Sequence, residues 1–391
     1  MILHATILAA FVALYVIAQA IIPSKFSWSI KLLLGIMATL AAFKFHIFYL
    51  IEGQNFFTPN LPQGVIWVGC WLFCAVIAFT LLMAAADIVR LPLYWFLRLK
   101  KSPFPRWRRY NNLLNLILLL TALSVCAWGT WCGIKAPDIR TVNVEISGLP
   151  AGALPIRLVQ LTDLHADSTK DADFYRDIVQ RTNALHPDVV VITGDMADST
   201  VKQKGSALVP LRDLNTPMGV YAVTGNHDFF WGKNSWINHL TAQGITFIDN
   251  KVVHLKAETE SGKYKELCLI GLPDPMGRHN GTKQAELSQL VPKSEQKSAP
   301  VVLLSHQPRI ATQAAKHAID LQLSGHTHGG QFPGLKSLVA RMNNGYVHGL
   351  YRVGNMKLYV SAGTSLWTPI CLRLGVPAEI TLINLIPAEQ K

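Results

Sequence analysis

The sequence has little charge. Only 15% of its 391 residues are Asp, Glu, Lys or Arg, and half are hydrophobic, whereas about 25% charge is usual in soluble domains. Acidic residues are scarcest in 1–137, which holds Glu52 and Asp87 against eleven Lys or Arg. The whole chain has 36 basic and 24 acidic residues, so 25 basic and 22 acidic residues remain in 138–391. The basic excess therefore lies between apolar runs and not on a folded binding domain, so no nucleic-acid partner is expected.

The sequence also lacks any C-x-x-C pair, any internal repeat and any low-complexity tract. Without paired cysteines, neither a zinc ribbon nor a disulfide framework is indicated. Four of the six cysteines lie in or beside apolar stretches, where cysteine usually acts as a small buried hydrophobe: Cys70, Cys74, Cys126 and Cys132. Only Cys268 and Cys371 belong to the remainder, and a disulfide between these two stays an open alternative.

Long hydrophobic runs, in contrast, fill the N-terminal third. Each is close to the roughly 20 residues that a helix needs to cross a bilayer; the runs are 2–22, 30–51, 64–86 and 113–134. The second is the least regular, because Lys44 and His46 interrupt it. The first has no basic segment before it and no A-x-A-like site after it, so we predict an uncleaved helix. The sequence thus predicts a transmembrane anchor of about four helices over 1–137.

Loop charge predicts the orientation of this anchor. The segment 87–112 carries seven basic residues against Asp87 alone, which is typical of a cytoplasmic loop. The N-terminus is then expected outside, and everything after the fourth helix also lies outside the cytoplasm. If only three runs cross, the N-terminus moves inside, but the last helix still leaves the cytoplasm.

From about residue 140 the pattern changes to short strands alternating with helices, which indicates an α/β domain over 138–391. The strand-like runs are 140–146, 156–161, 188–193, 219–224, 267–271, 300–304 and 319–323. Phe174, Ile178, Val179 and Leu185 form a helical stripe between two of them. The polar stretch 281–299 is predicted to be a surface excursion or a mobile loop.

Five of these strands are followed directly by short turns that contain metal-ligand residue types. The turns are D-L-H (163–165), G-D-M-A-D (194–198), G-N-H-D (225–228), S-H (305–306) and G-H-T-H (325–328). Strand carboxyl ends converge on one edge of an α/β sheet, so we expect one rim. A single such turn is more often a cap or a bend, but five in series are hard to explain structurally.

The residue types in this rim also indicate a class of metal. Imidazole and carboxylate without thiolate favour Mn²⁺, Fe or Zn²⁺. A carboxylate able to bridge two ligand sets predicts a pair of ions about 3.5–4 Å apart. Such a pair activates a bridging water and neutralises a phosphoryl oxygen during in-line displacement.

The motif series resembles that of the calcineurin-like metallophosphoesterase superfamily. The tail strengthens the resemblance with S-G-H-T-H-G-G-Q-F-P (324–333), G-L-Y-R-V-G (349–354), Y-V-S-A-G-T (359–364) and P-A-E-I-T (377–381). It is similar to the bacterial branch with YkuE- and YaeI-type phosphoesterases, over roughly 150–387. The resemblance implies a two-layered β-sandwich flanked by helices, a phosphodiesterase or pyrophosphatase activity, and a bacterial inner-membrane location.

The resemblance also implies a role for each site residue. One metal would be held by Asp163, His165, Asp195 and His328, and the other by Asp195, Asn226, His306 and His326, with Asp195 bridging and manganese favoured. His227 would act as general acid or transition-state donor. Asp198 is favoured over Asp228 as its orienting partner, and a helix N-cap remains the other interpretation of Asp198. Asp228 is expected to be structural.

The substrate is less well indicated than the reaction. Apolar residues in predicted loops near the rim form either local minicores or a mouth for an acyl chain: Phe229, Phe230, Trp231, Trp236, Leu335, Leu338, Val339 and Trp367. With Lys336 and Arg341 nearby, we favour a lipid-linked or cell-envelope phosphoester. UDP-acylglucosamine-type pyrophosphates are included, although a substrate made in the cytoplasm conflicts with the predicted orientation. A membrane transporter and a sensor or scaffold are the alternatives.

Overall fold

The computed structural model describes residues 2–53, 57, 59–100, 107–146, 149, 153–258, 264–291 and 299–388. The chain divides into two compact units. The first comprises Met1–Cys132 and Thr368–Leu372, and the second Gly133–Trp367 and Arg373–Lys391. The domain boundary that we placed at residue 137 stays a prediction.

The first unit is helical. Its helices are α1 (Ile2–Val16), which continues as a π-helical turn to Ile21, α2 (Trp28–Ala42), α3 (Lys44–Glu52), α4 (Gln63–Leu99) and α5 (Trp107–Ile134). Three helical stretches are long and apolar enough to cross a membrane: Leu3–Ile21, Gln63–Leu99 and Tyr110–Ile134. The irregular second run is a bent pair, because α2 and α3 meet at 66°. The described chain therefore has three candidate spans, or four if the bent pair counts as one.

Helix α4 differs from the prediction, because it extends past residue 86 to Leu99. The apolar pattern continues through residues 88–96, and the chain tolerates Pro92 inside the helix. The first half of the predicted basic segment is therefore helical. Lys101 and Arg106 of that segment lie outside the described residues, as do the side chains of Arg108 and Arg109.

A polar network joins three of these helices at one end. Tyr15 of α1 donates a hydrogen bond of 2.5 Å to Asp87 of α4, and Arg90 Nε lies 3.3 Å from the same carboxylate. Arg90 Nη1 donates to Asn115 Oδ1 of α5 at 2.8 Å, and Asn115 Nδ2 donates to the Gln19 carbonyl at 3.2 Å. Buried polar groups are stable in such a setting only when they pair, so the network ties α1, α4 and α5 together.

A disulfide joins Cys70 of α4 to Cys371 in the short second segment of the first unit, with the Cα atoms 5.7 Å apart. The pairing of Cys268 with Cys371 that we left open is therefore wrong. Cys268 is buried on a strand of the second unit, where it packs in an apolar cluster.

The second unit is built on two six-stranded sheets. The first has the order β1 (Asp138–Ile146), β12 (Glu379–Pro387), β2 (Ile156–Leu161), β3 (Val189–Thr193), β4 (Val220–Val223), β5 (Ile245–Phe247). The second has the order β10 (Gly349–Val353), β11 (Met356–Val360), β9 (Leu321–Ser324), β8 (Val301–Ser305), β7 (Tyr264–Leu272), β6 (Lys251–Glu258). Strands β2 to β5 run parallel, as do β7, β8, β9 and β11, whereas three pairs are antiparallel.

The two sheets share one apolar core, which confirms the predicted β-sandwich. Val189 and Val191 of the first sheet lie in the same buried cluster as Val302 and Leu321 of the second. The helices of this unit are α6 (Ala172–Asn183), α7 (Val201–Leu208), α8 (Asn226–Phe230), α9 (Lys233–Thr241), α10 (Leu287–Leu290), α11 (Ala311–Ala314) and α12 (Pro333–Met342). Apolar residues of α6, α7 and α9 cover the outer face of the first sheet.

All seven predicted strands are present, with ends shifted by at most two residues except at 267–271, whose start shifts by three residues to give Tyr264–Leu272. The sequence did not predict β5, β6, β10, β11 or β12. Of these, β6 and β10 are half-exposed and mix polar with apolar side chains, so their pattern is weak. In the stretch 281–299 the described part includes α10, and 292–298 lies outside the described residues.

Candidate metal centre

The five ligand-bearing turns leave β2, β3, β4, β8 and β9 at their carboxyl ends. Several turn residues have a left-handed backbone although none is glycine: Asp163 (φ 54°), His165 (43°), Asp195 (55°), His326 (70°) and His328 (47°). This conformation is uncommon for non-glycine residues, and such strain collects at functional sites. The tight left-handed turns bring the side chains onto one point.

Two glycines allow the turns to come this close. A Cβ on Gly325 would overlap Asp163 Oδ2 and Thr162 Oγ1, and a Cβ on Gly225 would overlap the Asp195 carboxylate. Neither glycine needs a positive φ, so close approach alone accounts for them. Gly194 is required both for its positive φ of 93° and for close approach, because a Cβ at this position would lie 2.8 Å from His306 Nδ1.

The first group of potential ligands contains Asp163, His165 and His328. His165 Nε2 lies 3.0 Å from His328 Nε2, and Asp163 Oδ1 lies 3.4 Å from the same His328 atom. The His326 amide donates to both Asp163 carboxylate oxygens at 3.1 Å, which fixes the carboxylate in place. All three side chains are at most 7% exposed.

The second group contains Asp195, His306 and His326. His306 Nδ1 donates to the Thr193 carbonyl at 2.7 Å, which leaves Nε2 as the atom that faces the site. His306 Nε2 lies 3.1 Å from Asp195 Oδ2 yet makes no hydrogen bond of normal geometry. Asn226 Oδ1 is likewise buried and has no hydrogen-bond partner in the described part of the chain.

Asp195 lies between the two groups. Its Oδ2 is 3.1 Å from His306 Nε2 on one side and 3.9 Å from His165 Nε2 on the other. The other oxygen accepts a hydrogen bond of 2.8 Å from the His227 amide. A single carboxylate therefore reaches both groups of potential ligands.

The charge distribution suits cations. Burial alone disfavours the Asp195 carboxylate, but His306 and His227 outweigh burial and hold its pKa well below the usual range. Burial and the neighbouring His306 lower the pKa of His326 to about 3. Burial, His165 and Arg373 hold the pKa of His328 well below its usual range. The ionised Asp195 and the neutral rings of His326 and His328 are the ligand forms that metals require. Burial opposes the charged ring of His306, but Asp195 outweighs burial and raises the pKa of His306 to about 10, so a metal ion would displace a proton there.

The residues present therefore fit metal binding. His306 Nε2 and Asn226 Oδ1 are buried polar atoms without partners, and an unpaired buried polar atom costs roughly 1–3 kcal/mol. Bound cations would remove that cost. The donor set is imidazole, carboxylate and amide oxygen, which suits Mn²⁺, Fe or Zn²⁺.

His227 and Asp198 form a pair at the edge of this site. His227 Nδ1 lies 2.5 Å from Asp198 Oδ1, and the other Asp198 oxygen lies 3.1 Å from His165 Nδ1. Burial opposes the charged ring of His227, but Asp198 and Asp195 outweigh it and raise its pKa to about 10. The His227 side chain is 21% exposed, whereas His165 beside it is fully buried, so His227 can reach an incoming molecule.

Two open questions about aspartates have structural answers. The residue that caps α7 is Thr200, so Asp198 is not the helix N-cap of our alternative interpretation. Asp228 accepts hydrogen bonds from the backbone amides of Gly225, Asp195 and Met196 at 2.7–3.1 Å. It braces two of the ligand-bearing turns against each other.

Sequence reasoning missed Arg373 and the role of Glu379. Arg373 is 1% exposed, and its Nη2 lies 3.4 Å from His328 Nδ1 and donates to the Ala362 carbonyl at 2.8 Å. Glu379 accepts from the Tyr359 hydroxyl at 2.7 Å and from the Ala362 amide at 3.1 Å. The motifs Y-V-S-A-G-T and P-A-E-I-T contain three of these residues, but nothing in the sequence marked Arg373 as buried.

The apolar residues near the rim differ in how far their side chains are exposed. Phe229 and Trp236 are buried, so they belong to local minicores. Phe230 is 59% exposed, and its ring centroid lies 5.8 Å from that of His227. Leu338 and Met342 on α12 are 53% and 66% exposed, whereas Trp231, Leu335, Val339 and Trp367 are half-buried.

The sequence matches the family described as Calcineurin-like phosphoesterase over residues 156–330, a range that contains every predicted ligand. An uncharacterized metallophosphoesterase of Helicobacter pylori is 32% identical over 288 residues, or 73% of this chain and 74% of that protein. The chain belongs to the calcineurin-like metallophosphoesterase family. It is therefore a hydrolase of phosphoric ester bonds.

Two further relatives are also named as metallophosphoesterases, and one of them is named as a transmembrane protein. The transmembrane protein with metallophosphoesterase domain of Danio rerio is 34% identical over 69% of this chain and 62% of that protein. The metallophosphoesterase YkuE of Bacillus subtilis is 30% identical over 62% of this chain and 83% of that protein. Together with the apolar helices, the first of these names supports membrane association of this chain.

Proposed function

We propose that this metallophosphoesterase hydrolyses phosphodiester or pyrophosphate bonds with a dinuclear metal centre. Asp163, His165, Asp195 and His328 would hold one ion, and Asp195, Asn226, His306 and His326 the other. The position of Asp195 carries the proposal, because its carboxylate reaches both groups of ligands within 3.9 Å. Two divalent ions would supply an activated water and charge neutralisation on the phosphoryl oxygens, and manganese is the favoured metal.

His227 is proposed as the proton donor. Asp198 holds Nδ1, so the ring presents Nε2–H to solvent and to a bound ester. The raised pKa, about 10, keeps this ring protonated at neutral pH. A proton delivered to the departing oxygen typically contributes a factor of about 10²–10⁴ to the rate.

The proposed substrate is a lipid-linked or cell-envelope phosphoester. The exposed ring of Phe230 lies beside His227. Helix α12 starts three residues after Gly330 and exposes Leu338 and Met342. Lys336 and Arg341 are exposed on the same helix, and this mixture of apolar and cationic side chains is typical of helices that lie on anionic lipid surfaces.

The catalytic unit is proposed to lie outside the cytoplasm of a bacterium, at the inner membrane. Cys70 is seven residues from the start of α4, at the end remote from the basic segment, and Cys371 pairs with it there. The positive-inside rule assigns the basic segment to the cytoplasm. Disulfides persist in oxidising, extracytoplasmic compartments, so the charge pattern and the disulfide support the same orientation.

The test uses the purified full-length protein, its metal content and a panel of substrates. Asp195→Asn should lose both metal and hydrolysis of an aryl phosphodiester, and His227→Ala should lose hydrolysis but keep the metal. Asp213→Asn, on the surface at 64% side-chain exposure, is the matched control and should behave as wild type. Full activity in either site variant overturns the assignment.

The substrate class needs its own comparison. Phospholipid phosphodiesters in mixed micelles should be cleaved with a lower KM than a water-soluble diester of the same headgroup. Leu338→Asp on α12 should raise KM for the lipid and leave the soluble diester unaffected. Equal KM values for both substrates in wild type would contradict the lipid assignment while leaving the metal chemistry intact.

A further inference from the structure

The first unit contains a cavity of about 510 Å³ between α1, α2, α4 and α5. This volume falls within the roughly 300–1,000 Å³ of typical ligand sites. Along α5 the lining extends from Asn112 to Leu123, a span of eleven residues, or about 16 Å at a rise of roughly 1.5 Å per residue. The hydrocarbon core of a bilayer is about 30 Å thick, so the cavity has the depth of one leaflet.

The two ends of this cavity differ in polarity. The walls along its length are aliphatic and aromatic side chains of all four helices. Polar side chains line one end only: Ser24, Lys25, Asn112 and Asn115. Ser24 and Lys25 lie in the connection between α1 and α2, and Asn112 and Asn115 lie near the start of α5, which follows the basic segment. The cavity is therefore amphipathic along its axis, as a lipid is.

The polar end has the features of a membrane interface. Trp28 is 76% exposed, and Lys31 Nζ lies 5.0 Å from its ring centroid. Tryptophan and lysine collect at the level of lipid headgroups. Lys25 is also exposed there, so the end of the cavity carries positive charge.

Hydrogen-bond donors also converge on this end. Asn115 is 8% exposed and is held by Arg90 Nη1 at 2.8 Å. The other terminal nitrogen of Arg90, Nη2, is buried and has no hydrogen-bond partner in the described part of the chain. Arg90 does not itself line the cavity, so its contribution to the polar end is to fix the Asn115 side chain there.

We propose that this cavity binds one acyl chain of an anionic phospholipid, with the phosphate at the polar end beside Lys25 and Asn112. The lipid comes from the leaflet that faces the basic segment. Water does not suit the apolar walls, because a buried water needs two to four polar partners. Dividing the cavity volume of about 510 Å³ by its length of about 16 Å gives a mean cross-section of roughly 32 Å². This cross-section is too small for a helix, which is about 10–12 Å in diameter.

The site lies within the membrane unit and does not depend on the proposed reaction. The lipid in this cavity is not the lipid substrate proposed for the catalytic unit. The polar end of the cavity is on the side of the basic segment, which is proposed to be cytoplasmic, whereas the proposed reaction takes place outside the cytoplasm. The bound chain would fill the space between helices that the polar network holds together at one end.

The test is photolabelling of the full-length protein in phosphatidylcholine nanodiscs. A trace of phosphatidylglycerol with a diazirine on its acyl chain is the probe, and labelled peptides are mapped by mass spectrometry. Label is expected on Met37 and Val76, which line the cavity. Ala38→Trp fills the cavity and should reduce this label at least tenfold, with Ala41→Trp as a second filling variant.

The matched control is Leu33→Trp, at a position that is 58% exposed in the first unit and should keep wild-type labelling. Lys25→Gln should reduce labelling by the phosphatidylglycerol probe severalfold and leave a phosphatidylcholine probe with the same acyl chain unaffected. Equal labelling of wild type by the two probes refutes the anionic headgroup. Undiminished label at Met37 and Val76 in both filling variants refutes the cavity as the site. The readout involves no hydrolysis, so this proposal fails separately from the proposed enzymatic function.

Discussion

Replacing Asp198 with Asn is the most informative single change at the site, because this carboxylate faces two histidines at once. One oxygen lies 2.5 Å from His227 Nδ1 and the other 3.1 Å from His165 Nδ1. A carboxylate can accept from both rings, although the contact with His165 departs from normal hydrogen-bond geometry. An amide has one accepting oxygen and one donating nitrogen, so in Asp198→Asn one ring must carry its proton on Nε2.

The size of the effect depends on which ring changes. If His165 takes the wrong tautomer, its Nε2 can no longer ligate, and loss of a supporting group of this kind costs about 10–100-fold in metal affinity. If His227 loses its carboxylate, the ring also loses its raised pKa and its fixed orientation. We expect kcat to fall roughly 10²–10³-fold at saturating metal, or about 3–4 kcal/mol at 1.36 kcal/mol per decade.

The assay is hydrolysis of an aryl phosphodiester by the full-length enzyme, with metal titrated from limiting to saturating concentration. His227→Ala supplies the second arm of a double-mutant cycle. If Asp198 acts on the rate through His227, adding Asp198→Asn to His227→Ala should cost less than about threefold in kcat at saturating metal, while the metal affinity still falls. The reasoning is refuted if Asp198→Asn keeps wild-type kcat and metal affinity, or if it lowers kcat equally in both backgrounds.

Three further changes test the frame around the site. Gly325→Ala should abolish metal binding, because its Cβ would overlap the Asp163 carboxylate, whereas Gly334→Ala meets only ordinary contacts and should retain metal by elemental analysis. Cys70→Ser should leave one additional thiol, that of Cys371, reactive to a maleimide mass tag in denatured, unreduced protein; no gain in tagged thiols would contradict the disulfide. Tyr175→Phe leaves a buried backbone carbonyl without its 2.9 Å donor and should lower the free energy of unfolding by about 1–3 kcal/mol, measured by denaturant titration, with unchanged stability as the contrary result.

The ligand series was predictable from the sequence because strand ends and ligand chemistry are both local. Val189–Ile192 is a continuous apolar run, and Thr193, Gly194 and Asp195 follow it directly. Any parallel sheet brings such strand ends to one edge. Short distances link eight of the nine predicted site residues in the second unit, and Asn226 precedes His227 in the chain; the roles of all nine stay predictions.

The precise shape of the site was not predictable, because it depends on contacts across the sequence. Arg373 reaches His328 over 45 positions, and Asp228 braces turns that are more than thirty residues upstream. Both are ordinary polar residues in the sequence. Strands β6 and β10 were missed for a related reason, since edge strands gain their stability from pairing with a neighbour rather than from their own pattern.

Asp198 shows how the two kinds of information combine. In the sequence, an aspartate before Ser and Thr fits a helix cap as well as it fits a partner for histidine, and spacing cannot separate the two. In the structure, the N-cap position of α7 is Thr200, and the Asp198 carboxylate faces His227 and His165 instead. The same residue is therefore placed to tie the proposed proton donor to a proposed metal ligand, so that the protonation of one and the metal affinity of the other should change together. The metal titration of Asp198→Asn tests that link, because kcat at saturating metal and the metal affinity should both fall in this one variant, whereas a site in which proton donor and metal were independent would lose only one of the two.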